Sequence, residues 1–264
     1  MHQEDVGPSI ASQMFRKISN NPDVSFKWRA IVSEFIGTAF YVFLGAMCQI
    51  VAAPNGVRTQ LGNIIIALGH AFALVGVTHT FYPISGAHIN PVVTISTIVT
   101  RNIGVIPGIL YISAQLLGGI LAAALVLLFA GSDSHLGSFE TNDQWRAFGL
   151  EITLTYILMT VYLGSTIRSQ FLKEDSGLEP VTYLFAHIPV GLIIGSCQLA
   201  GPLSGACLNP ARVFGPELVS WNFKTYSWIY YTGPVVGGVL ASLTFEFVLW
   251  TKPQHQTYLS LNRS

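Results

Sequence analysis

Ser85-Gly86-Ala87-His88-Ile89-Asn90-Pro91-Val92 recurs 119 positions later as Ser204-Gly205-Ala206-Cys207-Leu208-Asn209-Pro210-Ala211. Proline is favoured at the first position of a helix, and asparagine just before it is a strong cap, so each copy starts a helix. Neither helix is long enough to cross a bilayer. One starting at Pro91 and ending near Thr100 reaches only about 15 Å at about 1.5 Å per residue, half of a hydrocarbon core. The backbone ahead of it, around Pro83 to Ala87, survives at membrane depth only if it is buried in protein or lines water. Segments 83–100 and 201–219 therefore read as re-entrant loops, each ending in a half-helix.

The membrane setting follows from the flanks. Only 10% of the 264 residues are charged, against roughly 25% in an ordinary soluble domain. No Asp, Glu, Lys or Arg occurs between Arg58 and Arg101, between Arg101 and Asp133, or between Glu179 and Arg212, giving uncharged runs of 42, 31 and 32 residues. Each exceeds the roughly 20 that one spanning helix needs. Six full spans are placed at about 28–51, 61–82, 105–130, 147–167, 181–200 and 226–250. With both termini inside, the cytosolic side holds Arg16, Lys17, Lys27, Arg29, Arg101, Arg168, Lys173, Lys252 and Arg263. The outer side holds Arg58, Arg146 and Lys224, and Arg212 lies in the second loop, so the basic residues obey the positive-inside rule. Residues 1–27 lack the apolar core of a signal peptide and read as a cytosolic tail, as do 251–264.

The repeat extends beyond the two loops. Glu34 opening the first span corresponds to Glu151 opening the fourth, and Gly118-Gly119 in the third corresponds to Gly237-Gly238 in the sixth. Residues 28–250 are thus two copies, about 28–130 and 147–250, of one unit: span, span, half-span, span. Three crossings per unit is odd, so the copies lie in opposite orientation and their half-spans meet near the midplane. The predicted fold is an all-α membrane protein, with six transmembrane helices and two re-entrant half-helices in an inverted repeat. Two half-helices starting back to back aim two positive dipole ends at one place, which repels cations. There the amides of Asn90 and Asn209 can donate to a passing acceptor. Such a site suits a pore for a neutral, hydrogen-bonding molecule. Asn21-Pro22, in the tail and without a mate, is an ordinary helix start.

At these residues the chain resembles the aquaporin (major intrinsic protein) family, over about 28–250. The resemblance implies one pore per monomer, a homotetramer in the lipid bilayer, and water as permeant. It makes Asn90 and Asn209 the midplane donors and Arg212 the arginine of the outer selectivity constriction. Glu34 and Glu151 match the buried glutamates that brace the loops, and His88 is assigned to the cytosolic vestibule. Family spacing from the Asn-Pro boxes adds His70, Cys197 and Ala206 to the constriction. That set departs from the commonest water-specific one, which has Phe first and His second. His70-Ala71-Phe72-Ala73-Leu74 resembles plant vacuolar members. Val92 stands where the first box usually has Ala. Val213 stands where glycerol-conducting members usually carry Asp, which favours the water branch.

The same residues admit other readings. A lone histidine on an apolar helix, such as His70, also serves as a core residue bonded to a nearby carbonyl. No His pair falls three or four residues apart, so neither metal nor cofactor is expected. The absence of Gly-x-Ser-x-Gly, His-Glu-x-x-His and paired carboxylates within a span argues against an enzyme. Net charge zero leaves no footprint for nucleic acid. The alternatives to a water channel are a wider facilitator for ammonia, urea or glycerol, and a structural protein at membrane junctions. The plasma membrane is the default location, with an intracellular membrane the alternative. Of the three cysteines, spacing makes Cys197 the expected mercury target, ahead of Cys207 and Cys48.

Overall fold

The computed structural model describes residues 28–53, 59–131, 139, 141–167 and 186–249. Both predicted tails, Arg58, and the first residues of the span predicted at 181–200 lie outside them. The described chain is helical throughout: α1 Trp28–Ala52, α2 Gln60–Ser85, α3 Pro91–Val99, α4 Val105–Ala130, α5 Gln144–Tyr162, α6 Ile188–Ala200, α7 Pro210–Ser220 and α8 Trp228–Thr244. A π-helical turn extends α5 over Leu163–Ile167, and another extends α8 over Phe245–Leu249. With those turns included, α1, α2, α4, α5 and α8 are long and apolar enough to cross a membrane. The chain is a multi-pass integral membrane protein.

The element boundaries follow local chemistry. Asn90 and Asn209 cap α3 and α7, each accepting through its side chain from the amide two residues on. The α2 helix runs three residues past the predicted end at 82 and through Pro83. It stops where Gly86 takes a left-handed conformation (φ 85°) and its N–H bonds the Tyr82 carbonyl. A glycine in that conformation closes a helix without the steric cost a Cβ would bring.

Packing repeats between the halves. Helix α1 packs on α2 and α4, as α5 packs on α6 and α8, while α2 against α6 joins the two halves. Each half-helix crosses over: α3 lies on α8 as well as α4, and α7 lies on α4. The paired glycines explain how close these crossings are. A Cβ at Gly119 would fall 2.4 Å from the Ala211 carbonyl oxygen, and one at Gly238 would fall 2.3 Å from Val92 Cγ1. Gly238 therefore makes the room that the larger Val92 occupies in the first box. Ser96 of α3 adds a hydrogen bond to the Gly238 carbonyl at 3.2 Å.

Polarity is inverted relative to a soluble protein. Phe72, Ile106, Leu128 and Phe247 stand exposed, while Glu34, Gln115 and Glu151 are wholly buried. A hydrocarbon solvent imposes this arrangement, because it offers no hydrogen bonds to polar groups.

Candidate functional site

The two loops between helix and half-helix share one conformation. Ala87 and Ile89 have φ of 45° and 58°, and their mates Ala206 and Leu208 have 47° and 55°. Left-handed backbone costs a residue with a Cβ roughly 1–2 kcal/mol, so something must hold these turns. The buried glutamates do so. Glu34 Oε1 accepts from the Ser85 hydroxyl (2.6 Å) and His88 N–H (2.9 Å), and Oε2 accepts from Ile89 N–H (2.7 Å). Glu151 Oε1 accepts from the Ser204 hydroxyl (2.8 Å) and Cys207 N–H (2.9 Å), and Oε2 from Leu208 N–H (2.9 Å). The halves differ at one point. Gln115 Nε2 donates to Glu34 Oε2 at 2.8 Å and to Thr94 Oγ1 at 2.9 Å. Its place in the second half is taken by Pro234, which has no donor.

These turns bring Asn90 and Asn209 face to face. Asn90 Nδ2 donates to the Leu208 carbonyl (2.9 Å), and Asn209 Nδ2 donates to the Ile89 carbonyl (3.0 Å). Each Oδ1 caps its own half-helix. An amide nitrogen carries two N–H groups, so the tie engages one per residue. Both asparagines line a narrow cavity whose walls include Leu74, Val93, Leu158 and Ile194. It offers about 20 Å³ to the centres of water molecules. Holding one water takes roughly 10–15 Å³ of such space, so the cavity has room for about one or two waters.

Towards the face opposite the α1 N-terminus, Arg212 Nη1 donates to the carbonyls of Ala206 (2.9 Å) and Cys207 (2.6 Å). Gln198 Nε2 donates to the same Ala206 carbonyl at 2.7 Å. The guanidinium carbon lies 5.5 Å from the Phe139 ring centroid, within cation–π range. Phe139, from the stretch between α4 and α5, carries no repeat mate and escaped the sequence reading. Ala206 and Arg212 are thus brought together as spacing implied. The other two constriction candidates, His70 and Cys197, are each anchored to a backbone carbonyl. His70 Nδ1 donates to the Ile66 carbonyl at 2.9 Å, and its ring meets Tyr41 edge-on at 5.7 Å. A Cβ on Gly45 of α1 would fall 2.6 Å from His70 Nε2. Cys197 Sγ donates to the Leu154 carbonyl at 3.6 Å.

Towards the α1 N-terminal face a wider cavity opens, lined by Tyr82, His88, Asn102, Tyr111 and Tyr162 among others. His88, expected in a vestibule, is in its wall. With the site assembled, comparison with known proteins decides its kinship. The family profile described as Major intrinsic protein matches residues 21–245. The chain belongs to the major intrinsic protein family. Among similar proteins is the probable aquaporin TIP3-2 of Arabidopsis thaliana, 35% identical over 248 residues, covering 88% of this chain and 90% of that one. Aquaporin TIP1-2 of Musa acuminata is 34% identical over 234 residues, covering 86% and 89%. In fold, the chain resembles the X-ray structure of the aquaglyceroporin from Plasmodium falciparum, with TM-score 0.69 and 23% identity, covering 85% of this chain and 97% of that one.

The thiols of this major intrinsic protein correct one expectation. Cys197 and Cys207 are 2% and 0% exposed, and each sulfur is turned to a backbone carbonyl, that of Leu154 or of Asn209. A thiol reacts through its thiolate and needs access, and burial in apolar surroundings suppresses both. Cys197 is held in this way, whereas Cys207 also lines the midplane cavity beside Asn209, so mercuric block of water flux is expected to be kept in Cys197→Ser and abolished in Cys207→Ser. Rapid block abolished by Cys197→Ser would instead place that sulfur in the pore.

Proposed function

We propose that the protein is a passive water channel that excludes protons and other ions. The observation that carries this is the pair of half-helix starts at Asn90 and Asn209, tied to each other in the wall of a narrow cavity. Much of its wall is aliphatic (Leu74, Val93, Leu158, Val190, Ile194), so beside the asparagines a permeant is held by the amides and carbonyls of the two loops. An ion there loses its hydration shell without full replacement. A cation also meets two positive helix ends. Neutral water meets neither cost. The aquaporin names of the relatives support the same reading.

Arg212, Ala206 and Phe139 form the outer constriction, with His70 and Cys197 packed beside it on α2 and α6. Glu34 and Glu151 brace the loops. The protein is a channel and no enzyme, and it works as a homotetramer with one pore per chain. The face of the α1 N-terminus is cytosolic, as are both tails. The location is an intracellular membrane: the His70-Ala71-Phe72-Ala73-Leu74 string resembles plant vacuolar members, and the relatives are TIP-type aquaporins. Nothing in those relatives favours the plasma membrane.

Uptake of glycerol, urea and methylammonia by proteoliposomes, measured beside water flux, tests the solute range. Fast water with slow uptake of all three is expected, and uptake matching water would move the protein to the wider facilitators. Clustering of vesicles in a mixture of two labelled populations, without conduction, would establish the membrane-junction reading instead.

A further inference from the structure

We propose that Tyr162 and His88 form a second size-selective constriction, in series with Arg212, on the cytosolic side of the asparagine pair. The proposal rests on the channel reading above. Two cavities lie along the axis, and their walls share two residues, His88 and Tyr162. The midplane cavity gives about 20 Å³ to water centres, and the cytosolic one gives about 300 Å³. The small cavity gives way to the large one where these two rings stand in both walls. They come from opposite halves of the repeat, so neither the first loop nor α5 alone creates the neck.

The rings are held differently. His88 Nδ1 lies 3.1 Å from Thr94 Oγ1, and its ring packs edge-on against Tyr111 at 5.3 Å. Together the hydrogen bond and the ring contact restrict the imidazole. Tyr162 donates its hydroxyl to the Gly86 carbonyl across 3.4 Å, long beside the 2.5–3.0 Å usual for such bonds. Its backbone sits at the junction where α5 becomes a π-helical turn, and its carbonyl accepts from the Thr166 hydroxyl at 2.6 Å. A π-turn widens the helix by one residue and re-aims the side chains around it. The phenol of Tyr162 stands with His88 in the walls of both cavities. The ring bulk narrows the path, while the weakly tethered hydroxyl is a minor part of the barrier.

For barriers in series the higher one sets the rate. Widening one constriction therefore leaves a bulky solute stopped at the other. The test uses proteoliposomes holding the wild type, Tyr162→Val, Arg212→Val, the double variant, or Tyr162→Phe. Water conduction is expected in all five, and slow glycerol uptake in the wild type, both single Val variants and Tyr162→Phe. The double variant is expected to take up glycerol at least about fivefold faster than either single Val variant, because no high barrier then remains. A double variant no faster than Arg212→Val alone, in vesicles that conduct water, overturns the proposal. So does a Tyr162→Phe protein that passes glycerol as the double variant does, since bulk would then not be the barrier. If Tyr162→Val fails to insert, His88→Ala combined with Arg212→Val makes the same demand from the opposite wall. A wild type that conducts no water would instead refute the channel reading itself.

Discussion

Arg212→Val vesicles are expected to pass urea and small monovalent cations that the wild type holds back, with water flux retained. The guanidinium is buried, bonded to the Ala206 and Cys207 carbonyls and covered by Phe139. As the proposed outer constriction, it would both narrow the path and fix a positive charge between low-dielectric walls. Two unit charges about 4 Å apart interact by about 4 kcal/mol at an effective dielectric of about 20. Even a fraction of that exceeds the roughly 1.4 kcal/mol that makes a tenfold difference. An increase in cation leak of at least about tenfold is therefore expected, read as dissipation of an imposed potassium gradient. Normal insertion with unchanged urea uptake and unchanged leak would remove Arg212 from the constriction.

The second large effect is on folding. Glu34→Gln replaces one carboxylate oxygen by an NH₂ that faces donors. At Oε1 the partners are the Ser85 hydroxyl and His88 N–H, and at Oε2 they are Ile89 N–H and the Gln115 amide. With the NH₂ at the Oε1 side the Ser85 hydroxyl can turn to accept from it, so at least the His88 N–H bond is lost; at the Oε2 side both bonds are lost. Glu151→Gln can turn its NH₂ to the Oε2 side, where Leu208 N–H is the described partner, and lose one. Bonds to a charged group are worth about 1.5–3 kcal/mol each, and the left-handed turns they hold are otherwise unfavourable. Glu34→Gln and Glu151→Gln are both expected to lower folded yield and thermal stability. Equal, normal stability of both variants, with only conduction lost, would contradict the bracing role.

What could be read from the chain beforehand depended on the repeat. An eight-residue motif recurring with matched glutamates and glycine pairs implies the inverted architecture, because each element confirms its mate. The half-helix at Pro91–Val99 ends one residue from its predicted stop. Groups without a mate escaped: Gln115 beneath Glu34, Phe139 over Arg212, Gln198 beside Arg212 on the Ala206 carbonyl, and Tyr162 at the neck. An amide inside an apolar span, such as Gln115, was the one available signal, since it must find a partner. Spacing along a helix places a residue on a level but does not say which way its side chain turns. His70 and Cys197 stand at the expected positions, yet their described hydrogen bonds are to Ile66 and Leu154. Room for a side chain also comes from neighbours far away in sequence, such as Gly45, whose missing side chain leaves space for the His70 ring.

The central claim is that the tied asparagines open a path for water and for little else. Stopped-flow light scattering of proteoliposomes after an osmotic step, with the purified full chain, tests it most directly. Shrinkage at least about tenfold faster than in empty vesicles is expected, with a low activation energy because water in the pore keeps hydrogen-bond partners throughout its passage. Shrinkage at the rate of empty vesicles, in membranes where the protein is shown to be inserted and folded, would contradict it.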